Sequence, residues 1–164
     1  MNNKKISRKR EQALAKDTGG RTTPGSGNKW FEKSDAYNSI IRFEDKFTKK
    51  DKYPIHLSEL KKIEKEALLT NKIPVLRFGF HNLNQNYVII NTDHFFDTGI
   101  EKDIKGVDIS RKSFTVDSKE LNNLYLNSKC IILLVLNFIT KNKIYFILRY
   151  ETFLENIEKF YSIF

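Results

Sequence analysis

Two apolar hairpins of the same plan, 58 residues apart, constrain this chain more than any other feature of it. Phe80, Tyr87 and Phe95 recur as Phe138, Tyr145 and Phe153, and Val88-Ile89-Ile90 is matched by Phe146-Ile147-Leu148. Residues 73–80 and 87–91, and again 130–138 and 143–150, read as strands joined by short turns. A Ser-started helix precedes each hairpin, with a small gap between the two alignments. The first covers residues 58–71, with Ser58 as N-cap and Leu60, Ile63, Ala67 and Leu68 near one face; the second covers 118–126. A short helical cap follows each, beginning at Phe95-Phe96 in one unit and spanning 152–160 in the other. Any two hairpins with aromatic ends share some of this. The sharper reading is a duplicated half-module that extends one sheet.

Upstream of the repeat the chain changes character. Residues 6–16 lack Gly and Pro, are rich in Arg, Lys, Glu, Gln and Ala, and predict a helix ended by Gly19-Gly20. Residues 18–28 form a Gly/Thr/Pro/Ser loop, 30–37 an extended segment, 39–48 a strand and 49–52 a charged turn. Residues 97–111, mixed in charge and holding two Gly, read as a linker. The expected division is therefore a core over 1–96, a linker over 97–111 and an α-β-β-α extension over 112–164, packed as one compact unit. At 164 residues and 40% hydrophobic there is enough apolar surface for one real core.

Charge is uneven. Residues 1–50 hold 13 Lys/Arg against 6 Asp/Glu, most of the chain's net +9. A basic N-terminal part suits a polyanion such as nucleic acid. Lys4, Lys5, Arg8, Lys9, Arg10 and Arg21 are the residues that would grip phosphates; a solvated tail is the plainer use of them. The longest apolar run, 130–138, is too short to cross a bilayer, and the charged N-terminus has no signal-like apolar stretch. One cysteine, Cys130, permits neither an internal disulfide nor a Cys-based zinc site and fits a reducing, cytoplasmic setting.

Four features in order carry the chemistry: Glu11 on the first helix, Gly25-Ser26-Gly27 in the loop, Asp35, then Glu44-Asp45-Lys46 on a strand. Alternation puts Glu44 and Lys46 on one face and Asp45 on the other. If the segment holding Asp35 pairs with that strand, Asp35 reaches the face of Glu44. Carboxylates on rigid strands suit a hard divalent cation such as Mg²⁺. Asp35, Glu44 and Glu11 are the candidate ligands, with Asp45 kept among them despite its facing. A cation there acidifies water and stabilises charge growing on a phosphodiester, and a neighbouring lysine adds to that. The plainer alternative for Glu44 and Lys46 is an ion pair on an exposed strand.

These residues resemble the PD-(D/E)XK nuclease superfamily over roughly residues 8–96. R-E-Q-A-L-A-K-D-T-G-G-R-T-T-P-G-S-G, K-S-D, F-E-D-K-F-T, L-K-K-I-E-K-E-A and K-I-P-V-L-R-F-G-F look like its Holliday-junction resolvase branch, which includes archaeal resolvases and small phage endonucleases. The resemblance implies an α/β, restriction-endonuclease-like fold with a mixed central sheet flanked by helices. It implies Glu11, Asp35, Glu44 and Lys46 as the catalytic set, Ser26 near the scissile phosphate and Lys33 as a further DNA contact. Ser34 stands where the family usually has Gly, and Asn28 where it usually has Ala. The implied activity is Mg²⁺-dependent cutting of branched DNA, with Mn²⁺ able to substitute and, if the chain is phage-encoded, the host cytoplasm as its place. Resolution needs two symmetric nicks, so one site per chain implies a homodimer. The alternatives are a nicking or restriction-like nuclease and a non-catalytic DNA-binding module.

Other motifs fail. Gly20 to Gly25 has P-loop spacing, but Ser26 stands where Lys is required. His56, His81 and His94 lack metal-ligand spacing, and Trp30 and Phe31 read as core or as base-stacking residues.

Overall fold

Helix α1 (Asn3–Asp17) begins earlier than its apolar pattern suggests and, among its described side chains, buries only Leu14 and Ala15. It stops where the chain turns left-handed at Gly19 (φ 62°). The Gly20 and Gly19 amides donate to the Ala15 and Lys16 carbonyls at 2.7 and 3.3 Å, a Schellman closure of the helix end. Gly20 also lies so close to the Tyr37 carbonyl that any side chain there would collide with it. The computed structural model describes residues 3–23, 35–83, 85–94, 102–126, 131–139 and 142–157. The Gly-Ser-Gly loop, Trp30, Phe31, Phe95, Phe96 and Cys130 lie outside them.

After β1 (Arg21–Thr22) and β2 (Ala36–Tyr37) comes β3 (Ile41–Thr48). Then follow β4 (Lys52–His56), α2 (Leu57–Leu68), β5 (Ile73–Phe80), β6 (Asn86–Asn91) and a 3-10 turn, Thr92–His94. The second part holds β7 (Lys102–Ile109), β8 (Ser113–Asp117), α3 (Ser118–Leu126), β9 (Ile131–Phe138), β10 (Lys143–Arg149) and α4 (Tyr150–Glu155). The described strands form one mixed sheet, ordered β1-β2-β3-β5-β6-β10-β9-β7, and a separate ribbon of β4 with β8. In the sheet β3 runs parallel to β5 and β7 parallel to β9; the other pairings are antiparallel.

Period-two alternation sends the strand side chains into two cores. On one face Leu76, Phe78, Phe80, Tyr87, Ile89, Phe138, Tyr145 and Ile147 pack under α2, α3 and the ribbon. Leu57, Leu60, Ile63 and Ala67 form the buried stripe of α2. On the other face Ile41, Phe43, Ile73, Val75, Val88, Ile90 and Leu148 pack under α1 and α4. Phe43 meets Phe153 edge to face at 6.1 Å.

Several expectations change. Within the stretch read as a linker, Lys102–Ile109 is instead the strand β7, at the edge of the described sheet. Exposed Lys105 and Asp108 made it look like a loop; an edge strand tolerates such charges, which also deter pairing with other chains. β4 and β8 were not anticipated, since short strands with a distant partner carry little local signal. Ser58 is not the N-cap of α2: His56 holds that place, with no side-chain capping bond. The final helix is described only over Tyr150–Glu155. β9 and β10 lie inside the sheet, and Leu136, Phe138, Tyr145 and Ile147 from them belong to its core.

Candidate active site

β3 joins the two cores and shows a different set of groups to each. Asp45 turns toward α1, is 3% exposed, and is held by two guanidinium groups. Arg10 reaches its Oδ2 and Oδ1 at 2.8 and 2.9 Å, and Arg77 Nε reaches Oδ1 at 2.7 Å. Arg77 donates on to the Arg10 carbonyl at 3.0 Å. Arg10 lies 4.7 Å over the Phe47 ring, and Arg77 5.0 Å over Tyr150. Asp45 is thus committed to pinning α1 and β5 to β3 and is not offered to an ion, which corrects its place among the ligands. Arg10 likewise spends its charge on Asp45 rather than on phosphate.

Glu44 and Lys46 project from the other face, toward the first turn of α2. Lys46 Nζ donates to Glu44 Oε1 at 2.6 Å and lies 3.6 Å from Glu59 Oε1. The Tyr53 hydroxyl donates to Glu59 Oε2 at 3.3 Å and steadies it. Burial pulls the Lys46 pKa down, but the Glu44 hydrogen bond and the charges of Glu44, Glu59 and Asp35 outweigh it. The pKa ends above its usual value, so the group is an ammonium near neutral pH and no proton acceptor.

Asp35 is fixed by the backbone of the same strand. Its own amide donates to the Phe43 carbonyl at 3.1 Å, and the Asp45 amide donates to its Oδ2 at 2.7 Å. The β2–β3 register pairs Ala36 with Phe43, so its continuation sets Asp35 across from Glu44, the arrangement that makes two side chains same-face neighbours. Burial first, and then the Glu44 carboxylate, push the Asp35 carboxyl up to about 7. Glu11 adds to the rise, while the Asp45 amide and Lys46 oppose it. Glu11 therefore acts on Asp35 through its charge, although α1 packs on the opposite face and Ser7 Oγ donates to Glu11 Oε1 at 3.2 Å.

The structure thus brings Asp35, Glu44 and Lys46 together, sets Glu11 within electrostatic reach, and turns Asp45 away. Ser26 and Lys33 lie outside the described residues, as does the side chain of Lys4. Lys5, Arg8, Lys9 and Arg21 are exposed. A groove of about 430 Å³ opens beside the pair, lined by Glu44, Lys46, His56, Glu59, Lys62 and Glu66 among others. Glu59 was missed from sequence because an acidic residue in a first helical turn is ordinary helix-dipole chemistry. Only the crossover from β3 to β5 carries it over Lys46.

Among the described residues, no three His, Cys, Asp or Glu side chains lie together so as to share a metal ion. Mg²⁺ asks less than that: one or two carboxylates, with water and substrate phosphate filling the rest. Asp35 and Glu44 meet that demand, and the Asp35 carboxyl, raised first by burial and then by the Glu44 charge, is one whose ionised form a cation would favour.

No protein-family model and no curated protein matches the sequence. Among solved structures, Hjc, a Holliday junction resolvase from the archaeal hyperthermophile Archaeoglobus fulgidus, superposes with a TM-score of 0.44 at 15% identity. The match covers 68% of this chain and 86% of that one. Among the described residues no helix is long and apolar enough to cross a membrane.

Proposed function

We propose that this chain is a Mg²⁺-dependent DNA endonuclease of the PD-(D/E)XK kind, acting on branched DNA such as a four-way junction. The observation that carries the reading is the grouping of Asp35 and Glu44 beside the Lys46 ammonium. Asp35 and Glu44 would hold the ion, with Mn²⁺ able to replace it and Glu11 adding negative charge nearby. When bound, the ion supplies positive charge to the phosphate and acidifies water. Lys46 lies beside the carboxylates, where its ammonium orients a water or a phosphate oxygen and offsets the charge that builds as water attacks phosphorus. Water oxygen bonds to phosphorus and gives up a proton to solvent, one P–O ester bond breaks, and the departing oxygen takes up a proton from solvent. Lys5, Arg8, Lys9 and Arg21 would track the backbone without reading sequence, with Lys4 and Lys33 as further candidates and Ser26 close to the cut.

The test is incubation of labelled four-way junctions, and of linear duplex of the same sequence, with Mg²⁺, with Mn²⁺ and with EDTA. Cuts at the junction only with metal are expected. Equal cutting of linear duplex would point to a nicking or restriction-like nuclease. Binding without any cut in either metal would leave a DNA-binding module.

A further inference from the structure

The second half of the chain repeats the first in register as well as in order. Strand, ribbon strand, helix and hairpin recur as β3-β4-α2-β5-β6 and β7-β8-α3-β9-β10. Ile41 pairs with Ile73 in the first parallel pair; 61 and 58 residues on, Lys102 pairs with Ile131 in the second. Leu76 pairs with Ile89 in the first hairpin; 58 residues on, Leu134 pairs with Ile147. The offset changes inside the helix, since α3 has 9 residues and α2 has 12, about one turn more. Two unrelated hairpins would not share a parallel neighbour, a ribbon strand, a helix and every register.

The two copies are related by an internal two-fold axis. β6 and β10 run antiparallel, and Ile89 pairs with its own counterpart, Ile147. β4 and β8 run antiparallel, and Pro54 pairs with its own counterpart, Thr115. Self-pairing of equivalent positions in an antiparallel contact is the mark of an isologous, two-fold interface. Ile89 and Ile147 are buried at that axis, and one hydrophobic core runs across it. Neither half could bury this face alone.

The copies differ where the chemistry lies. Lys105, Gly106 and Val107 occupy the places of Glu44, Asp45 and Lys46, and among the described residues Glu11 and Asp35 have no counterpart. The groove beside Lys46 has its counterpart, about 210 Å³, beside Val107. Asp117, Glu120 and Leu124 line it in the places of His56, Glu59 and Ile63. It is half the size and keeps Glu120 where Glu59 stands and Asp117 where His56 stands, but it lacks the carboxylate and the ammonium of Glu44 and Lys46.

We infer that the chain is a two-fold unit in itself, in which the second copy fills the place of a partner subunit and has lost its cleavage centre. It therefore acts as a single chain and cuts one strand per encounter. This rests on the proposed nuclease reading for the cut, but not for the assembly, and it replaces the homodimer expected from sequence. Sedimentation equilibrium of the full chain, without DNA, should give the mass of one chain, 19.3 kDa. A supercoiled plasmid extruding a cruciform, in excess over protein and with Mg²⁺, should yield nicked circles before any linear form. A stable species of twice that mass, or linear DNA as the first product, would overturn the inference. A single-chain mass with no cut under any condition would overturn the nuclease reading and leave the two-fold unit standing.

Discussion

Replacing Asp35 with Asn should make the metal-free protein more stable at pH 8 while removing its activity. The folded chain holds this carboxyl at about 7 against an ordinary 3.8. Below pH 4 it is neutral both folded and unfolded and costs nothing. Between pH 4 and 7 the folded form keeps a proton that the unfolded form releases, so stability falls as pH rises. Above pH 7 the full penalty stands. At 1.36 kcal/mol per pH unit the gap corresponds to about 4 kcal/mol, and screening by water at the partly open site brings it to roughly 2. Asn removes the charge yet can still accept the Asp45 amide. For a chain of this size the gain corresponds to a rise in Tm of roughly 4–8 °C. Thermal melts in EDTA at pH 8 and pH 4, with and without the substitution, read it directly. Mg²⁺ at pH 8 should raise the wild-type Tm and leave the variant unmoved. An equal gain at both pH values, or none at pH 8, would show that Asp35 carries no charge penalty and that the site is not short of a cation.

Asp45→Asn should act on stability, costing about 3–5 kcal/mol in denaturant melts, because it leaves the Arg10 and Arg77 guanidinium groups with no neutralising charge. If it spared the fold and abolished metal binding, Asp45 would be a ligand after all. Lys46→Ala should slow junction cutting by roughly 10²–10³-fold with binding retained, scored in gel shift and cleavage assays on the same substrate; unchanged cutting would remove the ammonium from the mechanism. Changing Lys5, Arg8 and Lys9 together to Ala should weaken binding to any DNA and flatten the plot of log affinity against log salt by up to about 3. A loss confined to one sequence would mean base readout instead.

Local chemistry made much of this molecule legible. The hairpins 73–80 with 87–91 and 130–138 with 143–150 show in their apolar runs, because a strand covered on both sides has no need of polar residues. The alternation of Glu44, Asp45 and Lys46 follows from the pleat, and the end of α1 from the Gly19-Gly20 pair. The 58-residue recurrence of Phe80 and Tyr87 as Phe138 and Tyr145 was visible as well, since paired aromatics at the turn of a hairpin survive as a pattern of types.

What the sequence by itself determined, then, is the elements whose causes are local: periodicity, turn chemistry and the order of acidic and basic residues along one strand. Tertiary structure alone decided which charges meet. Asp45 looked as available as Glu44 until Arg10 and Arg77, 35 and 32 positions away, closed on it. Glu59 became a neighbour of Lys46 only through the crossover, and β4 and β8 became strands only through each other. The two-fold axis is of the same kind, because a pairing such as Ile89 with Ile147 is a long-range contact with no signature in either stretch read alone.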